Sequence, residues 1–252
     1  MSARSAKPSI ADLRAVAQPP SIFARNSGEH WAGRLYVRRM SPYLTRVLIP
    51  TPISPNMVTW AMIAVGVAAA GLLVIDSVWA AAGAVILIQA QILFDCSDGE
   101  LARWRRQFSP VGIYLDRFAH YLTETQFPIA LGIRCDEPVL GLVAAVLALG
   151  VRTESALVAV ARLETGRTRA EDTAAVAAPQ ISLLARVRRA VGFFPFFRAF
   201  IAVEATLLSL VAAIVDAGGG DGTRILVIAL VPIAAITVVG HLVAIVTSAR
   251  LK

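Results

Sequence analysis

Apolar residues in this chain collect into long runs separated by short polar breaks. Residues 57–75 are uncharged and end at Asp76 and Ser77; residues 77–94 are uncharged again and run straight into DCSDGELAR. The run 111–133 carries Asp116, Arg117, His120 and Glu124, and 138–161 is broken by Arg152 and Glu154. Residues 190–215 contain Arg198 and Glu204, while 225–249 contain His241 as their one ionisable group. Runs near twenty residues suit a hydrocarbon core of ~30 Å, where every backbone polar group must pair within its own segment. The pattern predicts an all-α integral membrane protein of six transmembrane helices. No internal repeat is evident, so an inverted-repeat transporter gains no support.

Composition agrees. The 252 residues are 57% hydrophobic and 16% charged, against about 25% charged in soluble domains, and the mean hydropathy is +0.67. Disorder, coiled coil, collagen and a disulfide-stapled module are excluded. Cys96 and Cys135 lie in apolar surroundings without a CxxC spacing and read as small buried hydrophobes.

Charge placement adds an orientation. Eight of the 24 basic residues precede the first run, and Arg103, Arg105 and Arg106 occupy the break after the second. Others, Arg186, Arg188 and Arg189 among them, fall in the polar connection of about 163–190. The opposite side holds Arg134 and Arg224 against Asp76, Asp136, Glu137, Asp216 and Asp221. The positive-inside rule puts both termini in the cytoplasm, and the net charge of +7 then describes a face against anionic headgroups. Basic residues that flank apolar runs argue against nucleic acid as a partner. The bias to arginine, 22 against 2 lysines, points to a high-GC bacterial source and hence a multi-pass plasma-membrane protein.

Residues 1–50 form a juxtamembrane segment ahead of a membrane domain at 51–252. Their opening does not read as a signal peptide. Residues 31–49 mix arginine with Trp, Tyr, Leu and Val, which suits either an amphipathic helix in the interface plane or an ordinary flank of the first span. Pro42 is expected to bend or break that helix.

Ionisable groups at membrane depth are costly and mark function, and here they concentrate around the second and third runs. Asp95 and Asp98 lie three residues apart and share a helix face, which Ala102 continues; Asp116 and His120 are one turn apart on the next helix. Three carboxylates cannot stay ionised side by side without a counter-charge. A hard divalent cation, Mg²⁺ or Mn²⁺, shared with substrate phosphates supplies one; ion pairs with arginine supply another. Gly99 and Gly112 leave room for close approach, and Arg103 offers a fork to a phosphate oxygen.

The pattern D-x2-D-G-x2-A-R-x8-G-x3-D resembles the signature of the CDP-alcohol phosphotransferases, membrane enzymes of phospholipid synthesis. Asp95, Asp98, Gly99, Ala102, Arg103, Gly112 and Asp116 match it, and Pro55-Asn56-Met57-Val58-Thr59 is similar to an element that opens the family's first span. The resemblance implies six helices around a polar cavity open to the cytoplasm, often in a homodimer. It implies transfer of a phosphatidyl, or other substituted phosphoryl, group from a CDP-linked donor such as CDP-diacylglycerol to an alcohol acceptor, with release of CMP. It further implies two metal ions on Asp95, Asp98 and Asp116, with Asn56, Thr59, Gly99, Ala102, Arg103 and Gly112 on the donor.

The family's fourth acid is His120 in this chain. Imidazole suits a general base near neutral pH and is a poorer Mg²⁺ ligand than a carboxylate. Three readings follow: His120 is the base, Glu124 one turn further along substitutes for it, or the protein is a degenerate partner subunit. Arg152 and Arg198 are candidates for an acceptor's phosphate; the alternative is interhelical pairing, Arg152 with Glu154 or Glu204. His241 reads as a hydrogen-bonding partner for a neighbouring helix. A small cation transporter is the rival from another class; it has no use for the Gly-x-x-Ala-Arg run beside the acids.

Overall fold

The computed structural model describes residues 7–19, 31–165 and 196–246, and every regular element among them is helical. The short helix α1 (Ile10–Ala17) is capped by Ser9, whose Oγ accepts from the Asp12 N–H at 3.1 Å. A π-helical turn, Gly33–Val37, leads without a break into α2 (Arg38–Leu48). Four longer helices follow: α3 (Pro55–Val74), α4 (Val78–Arg105), α5 (Pro110–Arg134) and α6 (Pro138–Glu164). A 3₁₀ turn, Phe196–Phe200, precedes α7 (Ala202–Ala217) and α8 (Gly222–Val246).

Four of these helices are long and apolar enough to cross a membrane: α3, α4, the segment Pro138–Ala161 of α6, and α8. The protein is embedded in a membrane. Trp79, Ile86 and Val139 are at least two-thirds exposed, at 85%, 69% and 71%; large apolar side chains spread over long helices in this way need lipid as their neighbour. The other two expected spans differ from this pattern for separate reasons. Helix α5 has the length but carries Asp116, Arg117, His120 and Glu124. Helix α7 has 16 residues, about 24 Å at 1.5 Å per residue, because Ile201 is extended (φ −71°, ψ 136°) and halts the helix on its N-terminal side. The run expected to begin at residue 190 starts outside the described residues, as does most of the 163–190 connection with its arginines.

Pro42 does not break α2. Proline removes the N–H that would bond the carbonyl of residue 38 and so leaves that oxygen without its helical partner. Gln18 Nε2 donates to the Arg38 carbonyl at 2.8 Å instead, and the helix continues to Leu48. The face of α2 turned inward is the polar one: Ser41 and Thr45 are fully buried, while Met40, Tyr43 and Val47 are exposed.

By its internal contacts the chain forms two compact units, residues 1–72 with 82–123, and residues 73–81 with 124–252. In the first, Leu13 and Ala17 of α1 pack with Ile49, Val58, Leu101 and Trp104, and Met62 and Ile63 of α3 pack with Leu115 and Ala119 of α5. Arg105 ends α4 by holding the turn before α3. Its guanidinium donates to the carbonyls of Ile53 (2.6 Å), Thr51 (2.7 Å), Leu48 (2.9 Å) and Ile49 (3.0 Å), including carbonyls that the end of α2 leaves unbonded.

In the second unit α6 packs along α8, and α7 packs on α8. At the turn between α5 and α6 the backbones nearly touch: a Cβ on Gly141 would lie 2.5 Å from the Pro128 carbonyl and 2.9 Å from Gly132 Cα. The seven charged residues that the sequence places opposite the basic face all line one cavity of about 510 Å³: Asp76, Arg134, Asp136, Glu137, Asp216, Asp221 and Arg224. Within it Arg134 pairs with Asp76 at 3.0 Å and with Asp216 at 3.5 Å.

Candidate active site

Helices α4 and α5 supply the site. Nothing in the helical stretch of α4 interrupts the spacing that stacks Asp95, Asp98 and Ala102, and Pro110 at the start of α5 sets Gly112, Asp116 and His120 on successive turns. Asp95, Asp116 and His120 converge: one ligating atom from each lies within 4.8 Å of the other two. His120 Nε2 is 3.3 Å from Asp95 Oδ1 and 3.8 Å from Asp116 Oδ1. All three side chains stay accessible, at 29% for Asp95, 47% for Asp116 and 42% for His120. Two carboxylates and an imidazole in such an arrangement can hold a divalent cation or pass a proton between a substrate and the ring.

Asp98 sits differently. It is 9% exposed, its Oδ2 accepts from Thr59 Oγ1 at 2.6 Å, and its Oδ1 accepts from the Gly99 N–H at 2.5 Å. Each oxygen keeps lone-pair capacity beyond these bonds. Asp98 therefore stands outside the Asp95–Asp116–His120 trio and is oriented by the start of α3. Asn56, from the same turn of α3, lies over Gly112, where a Cβ would come within 2.9 Å of Asn56 Oδ1; its Nδ2 faces Ser109 Oγ at 3.5 Å. Arg103 folds back over Gly99, its terminal nitrogens 3.1 and 3.3 Å from where a Cβ would stand, and its Nε donates to the Ala17 carbonyl at 2.6 Å. Ala102 is half-buried on the same helix.

Two of the remaining sequence-derived candidates form one ion pair. Arg152 donates from Nε to Glu124 Oε2 at 2.5 Å and from Nη2 to Glu124 Oε1, and Glu124 is 5% exposed. Arg152 thus spends two of its nitrogens on Glu124 of the neighbouring helix. Glu154 bonds His241 Nδ1 at 2.9 Å, so His241 does bridge to another helix. Arg198 lies 3.9 Å from Glu204. Cys96 is buried and Cys135 half-buried, and both are free thiols.

Sequence reasoning passed over Glu100, which stands between the motif's glycine and arginine. It is fully buried and accepts from Ser41 Oγ (2.5 Å), Thr45 Oγ1 (2.7 Å) and Gln18 Nε2 (2.8 Å), with Arg38 Nη1 at 3.8 Å. A signal for it exists: Ser41 and Thr45 recur at i, i+4 on an otherwise basic and apolar helix, which marks a face meeting a polar partner.

Acids and an imidazole thus gather on two helices of a membrane-embedded chain, next to a glycine-arginine run. The family model for CDP-alcohol phosphatidyltransferase matches residues 52–248, and the chain belongs to that family. Its members are phosphotransferases of lipid biosynthesis that use a CDP-alcohol and an alcohol as substrates. Comparison with curated proteins finds no match for the chain.

Proposed function

We propose that the protein transfers a phosphatidyl, or other substituted phosphoryl, group from a CDP-linked lipid such as CDP-diacylglycerol to an alcohol, releasing CMP at the cytoplasmic face of a bacterial plasma membrane. The observation that carries this reading is the convergence of Asp95, Asp116 and His120 within 4.8 Å inside a chain of this family.

The donor set suits a hard divalent cation: carboxylate oxygens from two helices, with Asp98 held beside them by Thr59. Asp95, Asp98 and Asp116 would hold Mg²⁺ or Mn²⁺, two ions on the family's pattern, and such ions supply charge neutralisation for a pyrophosphate and its CMP leaving group. Arg103 over Gly99 and Asn56 over Gly112 receive the CDP moiety, their approach to the backbone made possible by the two glycines, and Thr59 braces Asp98 from α3. His120 accepts the proton of the attacking hydroxyl at Nε2. Asp95 and Asp116, both within 4 Å of that nitrogen, favour the imidazolium that forms. The oxygen so freed attacks phosphorus as CMP departs. Glu124 takes no part as the base, since Arg152 engages both of its oxygens; Arg152 and Arg198 are the cations proposed for an acceptor's phosphate. Helix α2 lies in the interface with Met40, Tyr43 and Val47 toward lipid, α5 and α7 complete a six-helix bundle, and the assembly is a homodimer. Family membership gives the transporter and partner-subunit alternatives no support.

The test is CMP release by the purified full-length protein from labelled CDP-diacylglycerol, with Mg²⁺ and a panel of alcohols and alcohol phosphates. Turnover with at least one acceptor is expected, and His120→Ala is expected to lower kcat by about 100-fold or more. Full turnover by His120→Ala removes the base assignment; inert wild-type protein with every donor and acceptor removes the reading itself.

A further inference from the structure

The family match begins at residue 52, yet the segment before it reaches the motif helix through several polar contacts. Gln18 Nε2 donates to Glu100 Oε1 and to the Arg38 carbonyl, both at 2.8 Å. Ser41 and Thr45 of α2 close the remaining sides of Glu100. Arg103 Nε donates to the carbonyl of Ala17 at 2.6 Å. Ala17 is the last residue of α1, so its oxygen belongs to the end of a helix where carbonyls lack N–H partners and carry the negative end of the dipole. The same guanidinium lies against Gly99. A guanidinium is a rigid plane; fixing Nε on one side and the plane over a glycine sets the direction of both terminal nitrogens. Helix α1 is itself held firmly, since Leu13 and Ala17 are fully buried against Leu101 and Trp104 of α4.

We infer that α1 and Gln18 are a positioning element for Arg103, pre-setting the guanidinium that meets the pyrophosphate of a CDP-linked donor. The rotamer freedom that a long arginine gives up on binding a phosphate is thereby lost before the donor arrives. The inference rests on Arg103 being a donor contact, as set out above. It assigns work at the active site to a part of the chain outside the family's matched region, with Ala17 separated from Arg103 by 86 positions of sequence.

The test is calorimetric titration of CDP, with Mg²⁺ present, into full-length protein in detergent micelles. Gln18→Leu and Leu13→Asp, the second chosen to undock α1, are each measured with and without Arg103→Ala. Arg103→Ala is expected to weaken CDP binding about tenfold, Leu13→Asp about tenfold and Gln18→Leu about threefold. In the Arg103→Ala background neither is expected to add a further loss. Equal losses in both backgrounds mean general damage to the fold and overturn the inference, as does undiminished binding by both α1 variants. Should Leu13→Asp fail to fold, Gln18→Leu, at a half-buried position, carries the test alone. If Arg103→Ala binds CDP as wild type does, the donor-contact reading fails and the inference with it. If Arg103→Ala loses affinity and the α1 variants do not, the inference fails alone.

Discussion

Two carboxylates on one helix, Glu100 and Asp95 of α4, show opposite treatments of charge in an apolar setting. Glu100 is fully enclosed, and its two oxygens receive three hydrogen bonds, with Arg38 close by. Asp95, five residues earlier, is partly open and shares one imidazole with Asp116. A carboxylate whose donors are all supplied by the protein is finished by folding. Carboxylates that face each other with a single ring between them are left to be completed by something that arrives later. The distinction lies in the donors around each acid and cannot be read from the acids themselves.

The comparison predicts unequal costs. Glu100→Leu strands Ser41, Thr45 and Gln18 without their acceptor, and it is expected to lower stability by about 3–5 kcal/mol, the usual cost of breaking a buried charged network; thermal unfolding in detergent reads this, with Glu100→Gln retaining most of the loss-free contacts and falling between. Asp116→Asn is expected to behave in the reverse way. Its thermal midpoint should hold or rise as repulsion with Asp95 is relieved, while CMP release drops by about 100-fold or more, beyond the 10–100-fold typical of residues that only support a metal ligand.

A third experiment separates the groups by ion binding. Millimolar Mg²⁺ is expected to raise the unfolding midpoint of wild type and of Glu100→Gln, since a ligand at ~100 Kd adds about 2.7 kcal/mol, and to leave Asp116→Asn unchanged. A Mg²⁺ response that survives in Asp116→Asn would place the ion elsewhere. Thr59→Val, which takes one hydrogen bond from Asp98, is expected to cost about tenfold in kcat, in line with ~1.5 kcal/mol for a bond to a charged group. The smallest effect belongs to the exposed pair of Arg224 with Glu137. Arg224→Gln is expected to move stability by less than about 0.5 kcal/mol and activity not at all.

Much of the site is legible in the sequence because charge inside an apolar run has few explanations. Asp95, Asp116 and His120 stand out against their neighbours, and helical spacing aligns Asp116 with His120, while the packing of α4 on α5 brings Asp95 to them. The same reasoning separates the charges of the outer turns, which the structure gathers around one cavity. Glu100 was hidden by its company: as one of three acids in six residues it carries no mark of its own, and its partners lie 55 to 82 positions away. Asp98 shows the converse limit: spacing puts it on the face of Asp95 and says nothing of the hydrogen bond that Thr59 of α3 makes to its carboxylate. Glu124 and Arg152 were each visible as buried charges, but only three-dimensional packing joins them. The shortness of α7 was likewise out of reach, because hydrophobicity continues across Ile201 and only its extended backbone halts the helix.

One guanidinium, that of Arg105, grips four carbonyls of the main chain between Leu48 and Ile53. The stretch it grips is the doorstep of Asn56 and Thr59, so the two polar residues of α3 ride on the foot of α4 as cargo on a fixed axle. Any displacement of that foot carries Asn56 and Thr59 with it, and with Thr59 its hydrogen bond to Asp98.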